Sequence, residues 1–143
     1  MSERMLKFKK TFEQLQPVEV DCFINDLGIK LPVDYISFLR KSPGGYMQDD
    51  VGIRVGEYLH GGVIVLGVSS SNMTENIKFY NNMRTSDPLN KAERYFTIMI
   101  IDGGEICVDI TTGQYFFFDA TYCEFHFLCL SFDELLNLFE HIN

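Results

Sequence analysis

Between Tyr95 and Phe118 the chain alternates three β-forming runs with two glycine turns, and this block constrains the fold more than any other. Tyr95–Ile101, Glu105–Ile110 and Gln114–Phe118 are rich in β-branched and aromatic side chains, which suit a pleated, half-buried surface. Asp102-Gly103-Gly104 and Thr111-Thr112-Gly113 between them supply the turn chemistry of tight hairpins. The block therefore reads as an antiparallel meander. A fourth run, Tyr122–Leu130, either pairs at the sheet edge or extends toward a last helix.

Helical spacing dominates on the N-terminal side. Glu3–Gln16 reads as an amphipathic turn or two, with Leu6, Phe12 and Leu15 as apolar members. Val20, Phe23, Ile24 and Leu27 recur at i, i+3, i+4 and i+7, with Pro17 suited to the helix start and Gly28 to its stop. A second helix opens at Pro32, carries Asp34 in its first turn and Tyr35, Ile36 and Leu39 as its stripe, and ends at Pro43-Gly44-Gly45. Asp50–Tyr58 and Val63–Val68 read as strands separated by His60-Gly61-Gly62. Ser71-Asn72 suits the cap of a short helix bearing Ile77, Tyr80 and Met83, and Thr85–Asn90 reads as a loop. Ser131-Phe132-Asp133-Glu134 is a capping box, opening a final helix that buries Leu135, Leu138, Phe139 and Ile142. Helices, an antiparallel meander and a closing helix make the class α+β, expected as one domain over residues 1–143 with a curved, mainly antiparallel sheet.

Charge narrows the choice of partner. Asp and Glu number 20 against 12 Lys and Arg, a net charge of −8, so direct nucleic-acid binding is disfavoured and a basic protein partner is drawn in. The N-terminal residues mix charges and lack an apolar h-region, and no apolar stretch approaches the ~18–20 residues that span a bilayer. The expectation is a cytoplasmic chain with no membrane partner. Its four cysteines, Cys22, Cys107, Cys123 and Cys129, form no CxxC pair and read as reduced thiols.

Catalytic and metal constellations mostly fail on spacing. Cys123, His126 and Cys129 are possible zinc ligands, yet in a strand the two thiols stand about 20 Å apart at ~3.3 Å per residue. They read instead as core thiols, and no metal or cofactor is expected. No serine lies in a GxSxG elbow, and His141 at a helix C-terminus is explained by the dipole alone. Gly56 to Gly62 lacks the Lys-Ser/Thr of a phosphate loop. Glu105 and Asp109 share a strand face but lie roughly 13 Å apart, too far for paired acid–base work. With Asp102 and Asp119 they read first as a solvated acidic rim and second as a partner-binding face.

Three stretches in order carry a family resemblance. They are Leu27-Gly28-Ile29-Lys30-Leu31-Pro32-Val33-Asp34-Tyr35-Ile36-Ser37-Phe38-Leu39 with Gly44-Gly45, then Ile100 to Asp119, and finally Leu130-Ser131-Phe132-Asp133-Glu134-Leu135-Leu136. Together the chain resembles the Smi/Knr group of the SUKH superfamily, over Val18 to Phe139. Leu31, Pro32, Tyr35, Phe38, Gly44, Gly45, Asp102, Gly103, Gly104, Asp109, Gly113 and Asp119 fall on the pattern and read as caps, turns and core. Phe117-Phe118 stands where a Trp is common, and Ser42-Pro43 where Asn often precedes the glycine pair.

The resemblance implies an α+β domain with a curved antiparallel sheet and no shared catalytic site. Bacterial members are mostly immunity proteins against polymorphic or contact-dependent toxins, many of them nucleases or deaminases. Fungal relatives are non-enzymatic regulators of cell-wall synthesis and signalling. The expected function is accordingly that of an immunity protein occluding one cognate, basic toxin domain, with a regulatory scaffold as the alternative and a carboxylate enzyme a distant third. The candidate contact residues are the carboxylates near turns, Asp49, Asp50, Glu57, Asp102, Glu105 and Glu124, with Tyr46 and Tyr58 as aromatic anchors.

Overall fold

The meander becomes one end of a larger sheet. A computed structural model describes residues 8–13, 15–68 and 94–141. In it β6 (Tyr95–Ile101), β7 (Gly104–Asp109), β8 (Tyr115–Asp119) and β9 (Glu124–Cys129) pair in sequence, all antiparallel. β1 (Phe8–Thr11), β2 (Gly45–Met47) and β5 (Ile64–Val65) extend it to seven strands, ordered β1-β2-β5-β6-β7-β8-β9. A second sheet of three strands has the order β10-β3-β4, from β3 (Val51–Val55), β4 (Tyr58–His60) and β10 (Phe139–His141). With α1 (Pro17–Asp26), α2 (Val33–Lys41) and α3 (Phe132–Leu136), this is the α+β architecture the sequence implies.

Local sequence explains the helices. Pro17 fills the first position of α1, where no N–H is needed, and Gly28 follows at φ +68°. Glu19 and the Gln16 side chain satisfy each other's backbone N–H as a capping box. The buried faces of α2 and α3 meet through rings: Phe132 lies 5.3 Å from Tyr35, 4.8 Å from Phe38 and 6.1 Å from Tyr115. That cluster fastens both helices to β8. Beneath it Leu39, Ile98, Met99, Ile106 and Leu135 are wholly buried.

Gly44 shows why the glycine pair follows α2. Its φ is +82°, and a Cβ there would collide with the Val65 carbonyl oxygen. Only a residue without a side chain lets the chain leave α2 and enter β2 so close to β5.

Three expectations are corrected by the strand pairing. The turn or two of helix over Glu3–Gln16 is instead strand β1 from Phe8, because Lys10 and Thr11 pair with Tyr46 and Gly45. The strand expected over Asp50–Tyr58 folds back at Gly56-Glu57, with Gly56 at φ +59°, and His60 belongs to β4 rather than to a turn. The final helix stops at Leu136, and Phe139, expected on it, pairs with Ile53 of β3. The helix proposed after Ser71, the loop over Thr85–Asn90 and Ile142 lie outside the described residues.

Candidate functional site

Two hairpins face one another across an open groove of about 780 Å³. One wall is the β3–β4 hairpin, Arg54 to His60, and the other is the β8–β9 hairpin, Phe117 to Leu128. Strand register decides what lines the second wall. Phe117 pairs with His126 and Asp119 with Glu124, so the pleat puts all four on one face and Phe116, Phe118, Phe125 and Phe127 on the other.

Phe117 is buried at the floor between two imidazoles. The His60 ring centroid lies 4.7 Å from it, and the His126 ring lies 6.1 Å away and nearly parallel. His60 Nδ1 is 2.9 Å from the carbonyl oxygen of Asp102. A carbonyl only accepts, so Nδ1 carries the proton and the ring is fixed in orientation. Asp119 ends β8 and accepts the N–H groups of Thr121 and Tyr122 at 2.9 and 3.3 Å. That turn presents Tyr122 to solvent at 72% exposure, opposite Tyr58 at 71%.

The groove is acidic because its cation is committed elsewhere. Arg54 donates to both carboxylate oxygens of Glu140, at 3.1 and 3.0 Å, and to the Glu57 carbonyl at 3.1 Å. The hydrogen bond to Glu140 holds the Arg54 pKa above its usual value, and the same bond holds Glu140 below the carboxylate range. Glu57, Asp119 and Glu124 remain along the walls. Among the described residues, Ser, Thr, Cys and Lys side chains do not line it. Among the described residues no three His, Cys, Asp or Glu side chains converge as metal ligands, and no helix is long and apolar enough to cross a membrane.

The expected contact residues fall in separate places. Glu57, Tyr58 and Glu124 line the groove, and Asp102 adjoins it through His60. Tyr46, Asp49 and Asp50 sit in or beside β2. There Tyr46 meets Phe12 edge-to-face, Asp49 pairs with Lys9 at 2.7 Å, and Asp50 lies 3.5 Å from His141. His141 is therefore on β10, not at a helix terminus. Glu105 is half-buried and accepts the Thr97 hydroxyl at 2.9 Å.

The solvated acidic rim is corrected at Asp109, while Asp102 is exposed as expected. The Asp109 side chain is 1% exposed and bound by Arg94 at 2.9 Å. Cys129 is buried, but Cys123, read as a core thiol, is exposed in the β8–β9 turn at φ +54°. Sequence reasoning passed over His60, Phe117, Tyr122 and His126, or weighed them singly. The signal was the hairpin register, which counts back from the β8–β9 turn and places Phe117 opposite His126.

The motif residues now have structural roles: Tyr35 and Phe38 in the ring cluster, Gly44 at the close approach, Asp102-Gly103-Gly104 in the turn beneath His60. No curated protein matches the chain. Residues 14–138, which include every residue lining the groove, match the SMI1/KNR4 family (SUKH-1), and the chain belongs to that family.

Proposed function

We propose that the protein is an immunity-type binding protein, acting in the cytoplasm, that closes its groove on one cognate toxin domain and blocks it sterically. Membership of the SMI1/KNR4 family supports this reading. The observation that carries it is the pairing of two exposed tyrosines, Tyr58 and Tyr122, with Glu57, Asp119 and Glu124 in a groove whose arginine is neutralised by Glu140. Such a surface favours Arg and Lys side chains, by charge and by cation–π contact. A toxin that acts on nucleic acid carries those cations at its own active site, so the groove would occupy the surface its substrate needs.

No chemical step belongs to this proposal. The two imidazoles rest against Phe117, and among the described residues the groove offers no Ser, Cys or Lys nucleophile. The test is affinity capture of the tagged protein from its native lysate, washed at low and at high salt. Retention of one basic toxin domain, released by salt, is the expected result. Retention at both salts keeps the immunity role but moves the binding energy to the tyrosines. Capture of host signalling proteins, or of nothing while toxin genes are expressed, overturns the proposal.

A further inference from the structure

The two ends of the seven-stranded sheet are built differently. β1 has four residues, a register shift between Phe8 and Lys10, and exposed Lys9 and Lys10 along it. Lysines and bulges are the usual guards against pairing with a foreign strand. β9 has six residues, Glu-Phe-His-Phe-Leu-Cys, with no Lys or Pro; its pairing with β8 also shifts register, at Leu128, but is regular from Glu124 to Phe127. It is the last strand of the sheet, and among the described residues no strand pairs with its outer side. Alternate residues of an edge strand direct N–H and C=O outward. Exposed apolar side chains gather at this end: Phe127 at 54%, Leu130 just beyond β9 at 61%, Tyr122 in the β8–β9 turn, and Tyr58 across the groove.

We propose that β9 is a strand-addition site for an extended segment of the partner in which basic and apolar residues alternate. The alternation follows from β9 itself. Glu124 and His126 lie on the groove face, and Phe125 and Phe127 on the opposite face. A strand pairing with β9 places its own side chains beside these in the same alternation. Cationic residues then stand against Glu124 and across from Glu57, and apolar residues beside Phe125 and Phe127. A second copy of this chain is the poorer occupant, because each copy carries a net charge of −8 and repeats Glu124 along the edge. The inference rests on the groove being the partner surface proposed above, and it adds the backbone as the means of recognition.

The test uses the full chain and a peptide alternating Arg and Val over about eight residues. Binding is expected to slow hydrogen exchange at alternate amides of β9. N-methylation of every peptide amide keeps the charges and removes the strand donors, and should weaken binding about tenfold or more. The Glu57→Gln/Glu124→Gln double variant, altered only at exposed positions, should weaken it by a similar factor. Equal binding by the methylated peptide, protection outside β9, or no binding by the peptide overturns strand addition. A dimer of the free protein with protected β9 amides overturns it in favour of self-pairing. Capture of the basic toxin domain with unprotected β9 amides would sink this inference alone and leave the groove reading standing.

Discussion

Asp34 in the first turn of α2 accepts the backbone N–H of Phe132, 98 residues further along the chain, at 2.8 Å. Its other oxygen takes the N–H of Tyr35 at 2.8 Å. One carboxylate thus serves the N-terminal ends of two helices, where unpaired N–H groups and the positive dipole end both favour an anion. Asp34→Ala is expected to cost about 2 kcal/mol, the range for hydrogen bonds to a charged acceptor. Urea denaturation would measure it. Asp34→Asn keeps an acceptor and should lose less, and equal losses would show that charge alone matters.

Asp109 links stability to pH. Burial alone would raise its pKa, but hydrogen bonds from Arg94, the Thr111 N–H and the Arg94 charge outweigh it and hold it below the ordinary 3.8. The folded state therefore binds this proton more weakly than the unfolded chain does. The resulting stability is present above 3.8 and is lost as pH falls through the depressed folded value. Asp109→Asn should flatten the acid limb of a stability–pH curve and cost about 1–3 kcal/mol at neutral pH, by weakening a buried charge-assisted network. An unchanged acid limb would assign acid sensitivity to other carboxylates.

The four thiols should divide into two pairs. Cys22 and Cys123 are exposed, and Cys107 and Cys129 are buried. Burial, with the Glu134 charge, pushes the Cys129 pKa up to about 12, and thiolates rather than thiols react with alkylating agents. Iodoacetamide followed by mass spectrometry should mark Cys22 and Cys123 in the folded protein, and Cys107 and Cys129 only after unfolding. Rapid labelling of Cys129 in the folded state would contradict its burial.

Tyr35 and Tyr115 contribute rings rather than hydroxyls. Both hydroxyl oxygens are buried, and among the described residues neither has a hydrogen-bond partner. Burial raises both phenol pKa values, so neither ionises in the physiological range. Removing an unpaired polar atom while keeping the ring volume should be neutral or stabilising, by about 1 kcal/mol at most. Tyr35→Phe that unfolds the protein at clearly lower temperature would mean that the hydroxyl is satisfied in solution.

What the sequence made legible was what neighbours in the chain determine. Pro17, Gly28 and the Val20–Leu27 spacing are local signals, and so are the Asp102-Gly103-Gly104 turn and the runs it joins. β1 and β10 escaped because their partners, Gly45 to Met47 and Val51 to Ile53, stand far away in sequence and leave no period of their own. The groove was half legible for the same reason. Glu57, Tyr58 and Glu124 could be named as charged or aromatic residues near turns, but their meeting depends on β3–β4 lying opposite β8–β9. Asp109 was misjudged because alternation along one strand marks two faces without saying that both are covered.

The separation of most of the expected contact residues into two places makes the binding surface testable by contrast. Tyr58 and Tyr122 are mostly exposed, so their replacement by Ala should change stability by no more than about 0.5 kcal/mol. Aromatic anchors at the centre of an interface typically cost 2 kcal/mol or more when truncated, so each variant should weaken toxin binding by roughly thirtyfold. Glu57→Gln should act differently, lowering the association rate and the salt sensitivity more than the lifetime of the complex. Asp49→Asn, beside Lys9 at the other end of the long sheet, breaks only an exposed ion pair and should leave binding unchanged. If Asp49→Asn weakens binding and Tyr58→Ala does not, the partner sits on β2 and its following turn, and the groove is not the site.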